Sequence, residues 1–128
     1  METRKLGNTD LVVSRLGIGL AEIGHLSLDE VDLAAQVLNT ALDAGICFLD
    51  TSACYGNSEE LVGRAVGDRR NEFVLATKCG HVSGDYHGQP WTAQTITDSI
   101  DRSLERLQTD WLGLVQLHSC SVAVLEKG

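Results

Sequence analysis

The chain has 128 residues, 43% of them hydrophobic, which suits one globular domain with a real core and leaves no room for a second of ordinary size. A formal net charge of -8 with no cluster of Lys and Arg argues against a nucleic-acid partner, because nothing is present to neutralise a run of phosphates. No segment approaches the roughly 18 consecutive apolar residues of a membrane span, and the opening METRKLGNTD lacks the apolar stretch of a secretory leader, so the expected location is cytoplasmic with no membrane partner.

In chain order, TRKLGNTDLVVSRL has two short strand-like pieces flanking Gly7 to Asp10, a hairpin placed to cover one end of a sheet. The run LGIGL then reads as a first buried strand. From Ser27 to Gly45, Val31, Ala34, Ala35, Leu38, Ala41 and Leu42 follow the rhythm of a helix with one buried face. SLDE at its start is a capping box, with the Ser27 oxygen offered to a free N–H and Glu30 reaching back, and Gly45 supplies the left-handed stop. ICFL is a second strand. GNSEE opens a second helix that Asn57 or Ser58 can cap, with Glu59 and Glu60 at the positive end of the dipole and Gly67 at its finish. Arg69 and Arg70 read as a solvated turn after it.

FVLA is a third strand, and Pro90 marks the approach to a third helix from about Thr92 to Gln108, with Ile96, Ile100, Leu104 and Leu107 on one stripe. LGLVQL is a fourth strand. Short apolar runs of this kind suit buried parallel strands, so four strands are expected to alternate with three helices. Cys47, Cys54, Cys79 and Cys120 form no CxxC pair and are expected as reduced thiols.

Titratable residues follow three of the strand runs: Asp50 and Tyr55 the second, Lys78 the third, His118 the fourth. In a parallel sheet these ends share one face, where α/β folds gather their chemistry. Asp50 would pair with Lys78, and Lys78 would sit near the Tyr55 hydroxyl. Tyrosine has a pKa near 10 and is a reluctant proton donor at neutral pH; a cation beside it favours the phenolate. Lowering that pKa by about two units takes roughly 2.7 kcal/mol of differential interaction. Each residue also has a plainer role: Asp50 and Lys78 as a satisfied ion pair, His118 as a hydrogen-bonded rim residue, Tyr55 as a packed aromatic. What favours chemistry is that all fall on the same rim. The loop CGHVSGDYHGQP brings Cys79, His81 and His87, but their spacing matches no standard metal site, so no metal is expected and the loop reads as polar surface with glycine turns.

FLDTSACYGNSEELVGRAVG, VLATKCG and SLERLQTDWLGLVQLH, together with LGNTDLVVSRLGIG, resemble the aldo-keto reductase superfamily over nearly the whole chain. The resemblance implies an α/β fold of the (β/α)8 TIM-barrel family, an NADPH cofactor, a small-molecule carbonyl substrate, and a catalytic tetrad of Asp50, Tyr55, Lys78 and His118. Tyr55 would be the general acid, Lys78, held by Asp50, would lower its pKa, and His118 would orient and polarise the carbonyl. Gly19, Leu20 and Ala21 would lie beside the cofactor, with Asp50 near the nicotinamide ribose. Two positions depart from the common pattern: Cys47, where Asn is frequent, and Gly113, where an acid is frequent, a strand glycine being expected to leave packing unfilled near His118.

A barrel of this kind takes roughly 250 residues, so residues 1–128 are expected to be its N-terminal half, a β-hairpin with about four strands and three helices. SCSVAVLEKG after His118 shows no cap and no closing strand, and an incomplete sequence is the favoured reading. The second half would carry most of the cofactor grip. Such a half is expected to be inactive alone and to self-associate or pair with a complementary C-terminal half. Two functions follow: a carbonyl reductase that needs its second half, or a noncatalytic half-barrel remnant acting as an interaction module, as the family's potassium-channel β-subunits suggest.

Overall fold

The computed structural model describes residues 1–84 and 86–127; Asp85, inside the loop expected over 79–90, and Gly128, the last residue of the expected half barrel, lie outside them. The hairpin forms as expected: β1 (Thr3–Lys5) pairs antiparallel with β2 (Val12–Ser14), Arg4 opposite Val13. It docks beneath the sheet through Cys47, whose N–H donates to Ser14 Oγ at 2.8 Å while its sulfur accepts from the Ser14 N–H at 3.1 Å.

Four strands follow, β3 (Ile18–Gly19), β4 (Phe48–Asp50), β5 (Val74–Cys79) and β6 (Leu114–Leu117), parallel and in the order β3-β4-β5-β6. Helices α1 (Val31–Asp43), α2 (Ser58–Val66) and α3 (Ala93–Arg106) connect them on the βα plan. Leu49 and Leu75 point toward the helices and join Leu38, Leu42, Leu61, Val62 and Val66 in the main core. Strand alternation sends Asp50 and Lys78 to the opposite, concave face.

The ends of α1 are built from the residues expected. The Glu30 carboxylate accepts from the Ser27 N–H at 2.9 Å, although the first turn, Leu28–Glu30, is 3-10 rather than α. At the other end Gly45 takes φ +84, its N–H donates to the Leu42 carbonyl and Ile46 N–H donates to Ala41, the two bonds of a Schellman stop.

Several expectations change. Asn57 and Ser58 do not cap α2 with their side chains: Asn57 Nδ2 donates to the Leu26 carbonyl at 2.9 Å and Ser58 Oγ donates to Leu20 at 2.8 Å, so both tie the helix start to the segment after β3. Gly67 leads into a 3-10 stretch, Gly67–Glu72, instead of a sharp stop. Arg70 is not solvated. Its guanidinium lies 3.5 Å from the Trp111 ring centroid and donates to the carbonyls of Phe73 and Trp111, while Arg69 pairs with Asp43 and Glu72.

On α3 the buried stripe is Thr95, Ser99 and Ser103, and Ile96, Ile100 and Leu104 are only half-buried. Small hydroxyl side chains let the helix lie close to its neighbours, and Ser99 Oγ accepts from the Gly80 N–H at 3.1 Å. Gly113 leaves no packing unfilled, because an added Cβ would stand 2.7 Å from Val74 Cγ1, and β6 forms directly after it. Past β6, Ser121 takes the extended conformation of an N-cap and begins a short fourth helix, α4 (Val122–Leu125), where no cap was expected.

Candidate active site

Asp50 ends β4 and Lys78 lies near the end of β5, one pleat beyond the register that sets Asp50 opposite Ala76, so their side chains meet diagonally on the concave face. Lys78 Nζ donates to both Asp50 oxygens at 3.0 Å and to the Thr51 carbonyl at 2.9 Å. These three acceptors match the three protons of the ammonium. The lysine side chain is only 13% exposed, a burial that a charge tolerates when it is paired and fully hydrogen-bonded. Gln116, on β6, donates to Asp50 Oδ1 at 3.1 Å and fixes the carboxylate from the other side.

Tyr55 is held over this pair by a backbone contact. The loop after β4 presses against the 3-10 segment Glu22–His25 at Gly24, where a Cβ would land on the Tyr55 carbonyl oxygen, and the Asn57 N–H donates to the Gly24 carbonyl at 3.1 Å. Lys78 Nζ lies 4.8 Å from the centroid of the Tyr55 ring. The ammonium expected beside the phenol is thus close to the Tyr55 ring, with its protons directed to Asp50 and Thr51.

His118 follows β6 and faces Tyr55 edge-on, the ring centroids 5.9 Å apart at 87°. Its Nδ1 is 3.1 Å from Ser52 Oγ. Its backbone is braced on both sides, the N–H donating to the Cys79 carbonyl and the carbonyl accepting from the Trp91 indole N–H, each at 3.0 Å. Trp91 in this brace, at φ +58, and Ser119, next to His118 in the chain, at φ +50, hold left-handed backbone that side chains disfavour. Burial, then His81, then Lys78 push the His118 imidazole below its ordinary pKa, against a smaller opposing pull from Asp50, so near neutral pH the ring is uncharged.

The four titratable residues singled out in the sequence therefore share one rim. Gly19 pairs with Asp50 across β3 and β4, with open space where a Cβ would point, and Ala21 is exposed beside it. Leu20 differs: its side chain is fully buried in the core, its N–H donates to Asp50 and its carbonyl accepts from Ser58. Ser52, Trp91 and Gln116 were not singled out. Of these only Gln116 left a sequence signal, a polar residue inside an apolar strand run two positions before His118.

The rim thus sets a phenol beside a buried, paired ammonium and edge-on to an imidazole. The model of the Aldo/keto reductase family matches residues 15–124. An uncharacterized oxidoreductase of Bacillus subtilis, YqkF, is 38% identical over 127 residues, covering 95% of this chain and 40% of its own. L-galactose dehydrogenase of Arabidopsis thaliana is 37% identical over 134 residues, covering 99% and 41%. The crystal structure of a putative aldo-keto reductase from Pseudomonas aeruginosa superposes with a TM-score of 0.86 at 35% identity, over 98% of this chain and 51% of that one. The chain thus spans about two-fifths of these curated relatives and about half of that structure. On the family match over most of its length, carried by the same parallel βα plan, the chain belongs to the aldo/keto reductase family.

Proposed function

We propose that this chain is the proton-donating half of a nicotinamide-dependent carbonyl reductase, the N-terminal half of a (β/α)8 domain that works with a further set of strands. The observation that carries the reading is the fully satisfied Asp50–Lys78 pair placed 4.8 Å from the centroid of the Tyr55 ring, with His118 edge-on to the same ring.

The cofactor fit rests on Gly19 and Ala21, which leave open ground next to Asp50 at the strand ends. Gly19, Ala21 and Asp50 would hold the nicotinamide side, with Leu20 supporting them from the core. Bound there, NADPH supplies the hydride that reduces the carbonyl carbon. Tyr55 gives its phenol proton to the carbonyl oxygen as negative charge develops on it, and the Lys78 ammonium stabilises the phenolate left behind. His118, uncharged and held at Nδ1 by Ser52, directs its other ring nitrogen at the same oxygen. A dehydrogenase acting on a sugar among the relatives supports a hydroxyl–carbonyl interconversion, run in either direction by the same residues.

The test is a titration of NADPH, and separately NADH, against the 128-residue chain alone and mixed with the C-terminal half of a YqkF-like barrel, followed by turnover of an aldehyde. Binding in the reconstituted assembly is expected, with Tyr55→Phe lowering kcat by about 10²–10⁴ while cofactor affinity holds. Failure of every assembly to bind either nucleotide would leave the interaction-module reading in its place.

A further inference from the structure

Three βα loops bring Cys54, His81 and His118 together at the mouth of the rim. Cys54 Sγ lies 3.3 Å from His81 Nδ1, the His81 and His118 rings are 5.4 Å apart at their centroids, and one donor atom from each residue falls within 4.8 Å of the others. All three are half-buried. We propose that this cluster is a binding site for a borderline-soft divalent cation, zinc(II) in the first place, with its fourth position open to water or a substrate atom.

One thiolate and two imidazoles form a donor set suited to zinc, and three protein ligands with one open position are the pattern of exchangeable rather than structural sites. Tetrahedral zinc with ordinary Zn–S and Zn–N distances separates its donors by ~3.4–3.6 Å. Cys54 and His81 already stand at about that separation. The remaining gap closes by roughly 1 Å, within reach of rotations about side-chain bonds of the two rings. On binding, Cys54 releases its thiol proton to solvent.

One neighbour favours occupation. Ser52 Oγ at His118 Nδ1 is the outer hydrogen bond that fixes a ligand imidazole's tautomer and orientation. Lys78, the nearby cation, is paired with Asp50, which offsets part of its charge. Of the other residues that the sequence offered for a metal, His87 is exposed outside the cluster and Cys79 is buried, with its thiol pushed up by burial. A metal here would also take His118 away from a carbonyl, making zinc a reversible inhibitor; that consequence rests on the reductase reading, and the binding does not.

Titrating the untagged, metal-free chain with cobalt(II) reads the site directly. Expected is one ion per chain, a thiolate-to-cobalt charge-transfer absorption, and its disappearance on adding zinc(II). Cys54→Ser abolishes that absorption, His81→Ala and Ser52→Ala each weaken binding by at least about tenfold, and Cys120→Ser leaves both unchanged, with circular dichroism confirming each fold. Because His81→Ala and Ser52→Ala keep every cysteine, they carry the test if Cys54→Ser does not fold. Absence of the charge-transfer band in the parent chain, or affinity unchanged by His81→Ala, would overturn the site.

Discussion

His118 receives opposing influences from three charged or titratable neighbours, and their signs can be read separately. Burial, His81 and Lys78 lower its pKa and Asp50 raises it. In an NMR titration His118 should therefore titrate below 6.5, the ordinary histidine value. Lys78→Met should move it up, and Asp50→Asn should move it further down. The same shift enters stability. Between the folded pKa and 6.5 the unfolded chain binds the proton that the folded chain refuses, so stability falls as pH drops through that window and the loss levels off below the folded value. Urea midpoints at pH 7 and pH 5 should show this fall, and His118→Asn should make it shallower. Titration of His118 at or above 6.5 would contradict its burial beside His81 and Lys78.

At the scale of elements, the position of Tyr55 depends on how closely the segment Glu22–His25 approaches the start of α2. That contact is backbone on backbone, since a Cβ at Gly24 would fall on the Tyr55 carbonyl oxygen. Gly24→Ala should thus cost roughly 1–3 kcal/mol through forced separation, seen as a lower urea midpoint. Gly19→Ala, where an added Cβ meets nothing within 4 Å, should cost less than about 0.5 kcal/mol. Equal losses at the two glycines would mean that the close approach does not position the loop.

The elements themselves were readable wherever the signal was local. The box at Ser27, the stop at Gly45 and the apolar runs of the strands each need only a few neighbouring residues, and the structure follows them. What escaped depends on distant partners. Arg70 looks solvated beside Arg69 until Trp111, far along the chain, stacks on it. The buried face of α3 carries Thr95, Ser99 and Ser103, residues that hydropathy scores as outward-facing. The four rim residues were readable because each follows its own strand run, whereas Cys54, His81 and His118 meet only once three loops have converged.

At the scale of the whole molecule, helices cover one face of the four parallel strands, and β3 and β6 are edges to which no further strand pairs among the described residues. β6 is the more consequential edge. Leu117 is 41% exposed, and Val122 and Leu125 on α4 are 70% and 58% exposed, so apolar side chains adjoin a row of unpaired backbone groups. An uncovered edge of this kind templates pairing with another strand, and adjoining apolar surface adds non-directional attraction. As a 128-residue polypeptide the protein should therefore associate with itself, its weight-average mass in sedimentation rising with concentration. Replacing Leu117 and Val122 with Lys, which charges the edge without touching the rim residues, should shift that mass toward the monomer. A complementary barrel half should compete for the same edge and produce the same shift in self-association. A chain that stays monomeric at every concentration would show that β6 and α4 cover their apolar surface without a partner, and the need for a second half would then rest on the cofactor alone.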